Sequence, residues 1–111
     1  MILAIRAGRG RHRVIGVWAV VVGDRVFVRS WGVKPGGWYA AFVRDPSGII
    51  RIAGRSVRVR AVRTRSERIR DAVSRAYAEK YNTPGSLKYV RDLSRPRCRA
   101  TTTELVPAPR A

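Results

Sequence analysis

From Val14 to Val22 the chain is almost continuously apolar, VIGVWAVVV, with Trp18 at its centre. A run this short and this rich in β-branched residues predicts a strand buried on both faces, or one crossing a barrel interior. Gly23-Asp24 follows, with the length and chemistry of a tight hairpin turn. Arg25 to Ser30 then alternates, Val26 and Val28 against Phe27 and Arg29, which places Arg29 at a strand end. The loop Trp31 to Gly37 (WGVKPGG) leaves backbone amides free to meet a ligand and offers Lys34 to steer an anion. Trp38, Ala41 and Phe42 stand at helical spacing. They predict one or two helical turns ending at Asp45-Pro46, because a residue before proline resists the α conformation.

The flanking segments complete the pattern. Ile2 to Ala7 predicts a short strand, and Gly8 to Arg13 (GRGRHR) a basic turn. Ile49 to Ala53 and Val57 to Arg63 predict a second hairpin around Gly54-Arg55-Ser56. In it Val57, Val59 and Ala61 alternate with the solvent-facing Arg58 and Arg60. Thr64 and Glu67 fit a capping box at the head of a helix from Arg65 to about Tyr81. Its buried stripe is Ile69, Ala72, Val73, Ala76 and Tyr77, with Arg68, Arg70 and Arg75 on a solvated face. Asn82 to Arg99 reads as a long polar loop with a helical turn near Leu87 to Leu93. Thr101 to Val106 is a last strand, and residues 107–111 a frayed tail. About six strands and one good helix in a single domain, with a basic segment over 1–13, predict a mainly β fold with some α: a small six-stranded β-barrel with one packed helix.

Composition adds an electrostatic constraint. The formal net charge is +17 in 111 residues, and it comes from arginine, since Lys34, Lys80 and Lys88 are the lysines. Guanidinium groups favour bidentate contacts with phosphates and carboxylates, so anionic partners are expected, unless the scattered charges are simply solvated. One cysteine, Cys98, excludes an internal disulfide; Arg97 and Arg99 beside it would lower its pKa, although a structural thiol is the plainer reading. His12 is the single histidine and stands 86 positions from Cys98, so no metal set is recognisable; no nucleophile-elbow glycine pattern surrounds any serine, so a Ser-His-Asp triad is unsupported. The basic turn is no P-loop, because no Gly-Lys-Ser/Thr follows it. No apolar run approaches the roughly 20 residues of a membrane span, and MILAI is too short for a secretory signal. The cytoplasm is the expected compartment.

The run from Gly10 to Pro46 resembles the split-barrel proteins that bind flavin mononucleotide (FMN) or the deazaflavin coenzyme, among them pyridoxamine phosphate oxidases and deazaflavin-dependent nitroreductases. Gly10 and Arg13 fit a Gly-x-x-Arg turn, Ser30 and Gly32 a Ser-x-Gly loop, and Trp38-Tyr39 with Asp45-Pro46 a Trp-Tyr segment closed by Asn-Pro in that family. Trp31 stands where the nitroreductases commonly carry a lysine. A fuller resemblance is to the bacterial domain-of-unknown-function family numbered 2255. It rests on Val17-Trp18, Gly23-Asp24, Val28-Arg29-Ser30, Gly32, Trp38, the helix end Ala76, Tyr77, Lys80 and Tyr81, and the closing Ala100-Thr101 with Leu105-Val106-Pro107.

The resemblance implies a split barrel that binds FMN or the deazaflavin coenzyme, pairs as a homodimer and serves an oxidoreductase reaction. Arg11 and Arg13 would hold the phosphate, Arg29, Ser30 and Gly32 would lie near the ring or ribityl chain, and Trp38 and Tyr39 would form an apolar wall. No protein residue need act as a catalytic acid, because such a cofactor carries the hydride chemistry. Two other classes stay open: a basic nucleic-acid or polyanion binder, and a cofactor-free barrel acting as an interaction module.

Overall fold

The two apolar runs flanking Gly23-Asp24 pair as an antiparallel hairpin, β2 (Ile15–Val22) against β3 (Arg25–Val28), with Gly23 at φ 65°, where a side chain would be strained. The computed structural model describes residues 2–7, 15–31, 37–52 and 54–108. Its other elements are β1 (Ile2–Ala7), α1 (Trp38–Arg44), β4 (Ser47–Ile52), β5 (Arg55–Arg63), α2 (Glu67–Lys80), α3 (Pro84–Leu93), α4 (Pro96–Arg99) and β6 (Thr103–Pro107). The strands close into a six-stranded antiparallel barrel in the order β1-β2-β3-β6-β5-β4.

Two cores share the β2–β3 wall. Val17, Ala19 and Val28 face the barrel interior with Ile5, Ile50, Val59 and Leu105, and α1 adds Ala41 and Phe42 to that cluster. On the other side of the same wall, Val20 and Phe27 pack against Val73 and Tyr77 of α2, Val90 and Leu93 of α3, and Cys98 of α4. The centre of β2, Val17 to Val20, is therefore covered on both faces, as its apolar run predicts, whereas Val21 near the turn is exposed. Each Val, Leu, Ile or Phe side chain removed from water contributes about 1.5–3 kcal/mol before conformational entropy is subtracted. In β4, Gly48 passes so close to α1 that a Cβ there would lie 2.6 Å from the Phe42 ring and 2.9 Å from the Arg6 carbonyl oxygen.

Several boundaries differ from the sequence expectation. The segment read as a long loop holds α3 and α4. Thr83 and Ser86 form a reciprocal capping box, Pro84 opens the helix, and Val90 and Leu93 supply its buried side. The α2 N-cap is Ser66, whose hydroxyl accepts from the Ile69 amide at 3.3 Å. Thr64 instead continues the sheet, its amide donating to the Thr102 carbonyl at 3.1 Å. Arg70 is half-buried rather than solvated, donating to the Thr64 carbonyl at 3.1 Å and to Glu67 at 3.2 Å. Arg55 and Ser56 belong to β5, and β6 begins at Thr103 and extends to Pro107, opposite Val59. Backbone pairing thus reaches into the segment expected to fray.

Candidate functional site

The β2–β3 ladder ends at Ala19 opposite Val28. One residue further, the Arg29 amide donates to the Tyr77 hydroxyl at 3.1 Å, and that hydroxyl donates to the Trp18 carbonyl at 2.6 Å. A phenol from α2 thus stands between two strands where a direct ladder bond would otherwise continue. Beyond it the Ser30 amide donates to Thr101 Oγ1 at 2.8 Å, so the chain leaves β2 and turns toward the residues preceding β6. Lys80 and Tyr81 donate to the Ala19 carbonyl at 3.0 and 2.8 Å, fastening the end of α2 to β2 one residue from Trp18. Burial holds the Tyr77 phenol far above its ordinary pKa and pushes Tyr81 up to about 12.

Arg29 lies on the helical side of this opening and is 4% exposed. Its Nε donates to Thr102 Oγ1 at 2.8 Å, Nη1 to Ser74 Oγ at 2.9 Å and to the Leu93 carbonyl at 3.1 Å, and Nη2 to the Arg70 carbonyl at 2.8 Å. All four acceptors are neutral. Among the described residues no carboxylate forms an ion pair with this guanidinium; the pairs there involve Arg25, Arg70, Arg95 and Arg99. Burial lowers the Arg29 pKa to about 10, so the group remains a cation at neutral pH. It welds β3, α2, α3 and the threonine run before β6 into one unit, and it places an unneutralised positive charge at the parted strands.

A cleft of about 340 Å³ opens there, lined by Gly16, Val17 and Trp18 of β2, Arg29 and Trp31 beyond β3, Trp38 of α1, and Tyr89 and Leu93 of α3. Its aromatic walls are braced against one another. Trp18 stacks on Tyr81 with centroids 4.4 Å apart and meets the Tyr89 edge at 5.7 Å, and Tyr89 meets Trp31 at 4.8 Å. Trp38 contacts Tyr39 and Phe42 edge-on at 6.1 and 6.0 Å. No carboxylate lines the cleft among the described residues. Flat apolar walls with one buried cation suit a planar aromatic anion.

The cleft brings together Arg29 and Trp38 of the residues that the sequence singles out. Ser30 and Tyr39 are buried but do not line it. Arg11, Arg13 and Gly32, together with His12 and Lys34, lie outside the described residues. Trp18, Trp31, Tyr89 and Leu93 were not expected as site residues. Tyr89 and Leu93 fall in the segment read as a loop; the signal that could have found them is the Thr83-Pro84 helix start with Val90 and Leu93 three residues apart. Cys98 is buried, its thiol donating to the Trp31 carbonyl at 3.1 Å, and burial raises its pKa where the flanking arginines suggested a lowered one. Among the described residues no cluster of His, Cys, Asp and Glu could hold a metal ion.

The family model described as "Uncharacterized protein conserved in bacteria (DUF2255)" matches residues 2–105. The chain belongs to this family. In this DUF2255 chain the barrel carries a cleft framed by the parted β2–β3 edge and by α3. The fold is similar to that in the crystal structure of the conserved hypothetical protein Rv2991 from Mycobacterium tuberculosis. That likeness has a TM-score of 0.64 and 16% identity, and covers 98% of this chain and 72% of that one. At that identity the likeness speaks for the fold. No curated protein matches the sequence. Among the described residues of this DUF2255 chain, no helix is long and apolar enough to cross a membrane.

Proposed function

We propose that this DUF2255 barrel binds a flavin-type cofactor, FMN or the deazaflavin coenzyme, in the Trp18–Trp31–Trp38–Tyr89 cleft and serves an oxidoreductase reaction as a homodimer. The observation that carries the reading is the buried Arg29 cation on an aromatic-walled cleft with no carboxylate among its described lining residues. The donor set fits such a group. The tryptophans and Tyr89 offer faces and edges for a tricyclic ring, and Arg29 offers charge for its electron-rich edge. When bound, the cofactor supplies hydride chemistry; the chain's own residues orient the ring and exclude water from its faces.

The first measurement is an absorbance and fluorescence scan of the purified protein, then titration with each cofactor at physiological salt. Saturable binding of one is expected, weakened at least tenfold by Trp38→Ala and by Arg13→Ala. Arg75→Ala, on the exposed side of α2, should change it less than twofold. Failure of the unmodified protein to bind either cofactor overturns the reading.

A further inference from the structure

Arginines occur throughout this chain but the acids are confined to part of the fold, which leaves one wall of the barrel purely basic. The seven acids sit in the β2–β3 turn (Asp24), after α1 (Asp45), on α2 (Glu67, Asp71, Glu79), on α3 (Asp92) and on β6 (Glu104). The ion pairs follow them: Arg25 with Glu104, Arg70 and Arg99 with Glu67, Arg99 with Asp71, and Arg95 with Asp92. By contrast β1, β4 and β5 carry Arg6, Arg51, Arg55, Arg58, Arg60 and Arg63 and no acid. None of these six guanidinium groups forms an ion pair among the described residues.

Strand alternation aims four of them one way. Ile5, Ala7, Ile50 and Val59 fill the barrel interior, so Arg6, Arg51, Arg58 and Arg60 stand on the outer face. The register sets Arg6 and Arg58 on either side of Ile49, and Arg51 between Ala4 and Ser56. Ala4, Arg6, Ile49, Arg51 and Ser56 line a groove of about 210 Å³ on that face. The helices α2, α3 and α4 pack on the opposite wall, over Val20 and Phe27.

We propose that the outer face of the β1–β4–β5 wall is a docking surface for the phosphodiester backbone of duplex nucleic acid, bound without base selection. Charge complementarity identifies the partner: a cluster of guanidinium groups that form no ion pair among the described residues, with a serine hydroxyl among them, is chemistry for phosphate oxygens. The three strands contain no aromatic residue, which removes the stacking platform that single-strand binders use and favours a duplex held through its phosphates. This surface is separate from the Arg29 cleft and does not depend on what that cleft binds.

The test is fluorescence anisotropy of a labelled mixed-sequence 20-base-pair DNA duplex, titrated with the protein across a salt series. Four phosphate contacts predict a slope of log K against log salt of about −3.6. The triple variant Arg51→Gln/Arg58→Gln/Arg60→Gln should bind at least tenfold more weakly and flatten the slope by about 2.7. A control with the same charge change elsewhere, Arg65→Gln/Arg68→Gln/Arg75→Gln, should stay within twofold of the parent. All six positions are exposed, and a thermal melt checks that both variants fold. Equal losses in the two variants overturn the proposal in favour of diffuse net charge. So does an absence of duplex binding at low salt. Selective loss of binding to phosphatidylserine vesicles, with duplex binding retained, assigns the face to a membrane and overturns it as well.

Discussion

The Tyr77 hydroxyl donates to the Trp18 carbonyl at 2.6 Å across the gap where β2 and β3 part. Because the same oxygen accepts from the Arg29 amide, one phenol satisfies a donor on one strand and an acceptor on the other. Neither group has the other as its ladder partner. Replacing Tyr77 by Phe keeps the ring in its apolar setting and removes the bridge. Tyr77→Phe should destabilise the protein by about 1–3 kcal/mol, the cost of leaving buried polar groups unmatched, read as a lower urea midpoint with unchanged slope.

Arg29 should tolerate neither a shorter cation nor an apolar replacement. Arg29→Lys retains charge but not the planar fork that reaches Thr102, Ser74, Leu93 and Arg70 together. Arg29→Met leaves those acceptors facing a thioether. Both variants should lose roughly 2–4 kcal/mol in chemical denaturation. Retention of full stability by Arg29→Lys would show that the charge, rather than the geometry of the fork, is what the fold requires.

Alkaline pH should weaken the fold through the tyrosines. Burial, the largest cause, raises Tyr81 from an ordinary value of 10 to about 12, and raises Tyr77 as well. A raised phenol contributes stability that is complete below pH 10 and is lost as pH climbs through the folded value. Arg29 has the opposite sign. Its lowered pKa, about 10, means that the buried cation costs stability at neutral pH and that part of this cost is relieved above pH 10. The tyrosines should dominate between pH 10 and 12. Tyr81→Phe should flatten the fall in melting temperature over that window; because Tyr81 is partly exposed, its share is about 1 kcal/mol.

Gly48→Ala is expected to destabilise by about 1–3 kcal/mol, because the added methyl meets both the Phe42 ring and the Arg6 carbonyl oxygen. Gly85→Ala is the control, since a Cβ there meets nothing within 4 Å. Thermal melts of the two variants should separate clearly, with the loss confined to the β4 glycine.

How much of this was legible in the residues depends on the kind of signal. The apolar run of β2, the alternation of Val57, Val59 and Ala61, and the stripe from Ile69 to Tyr77 carry their periods openly, and those elements stand where the pattern places them. α3 was hidden because Lys88, Arg91 and Asp92 dilute a short apolar face, leaving only Val90 and Leu93 buried. The cleft was half visible. Arg29 and Trp38 stand out by residue type, but Trp18, Trp31 and Tyr89 join them only through folding. The bridge by Tyr77 could not be read at all, because periodicity assigns that tyrosine to a core and says nothing of where its hydroxyl goes. Gly48 gave no signal either, since its constraint is the ring of a residue on another element.

The Tyr77 bridge also determines what a single backbone proton reports. In an ordinary hairpin the amide of Arg29 would exchange with solvent deuterium only when the strands separated. Here its protecting partner belongs to α2, so its exchange reads the undocking of a helix while the barrel stays closed. The amides of Val28 and Phe27, one and two positions earlier, lie within the ladder and keep the slower clock of the barrel. Two neighbouring residues on one strand thus time two different openings, and a ligand that fills the cleft between Trp18 and Tyr89 should slow the first clock before it touches the second.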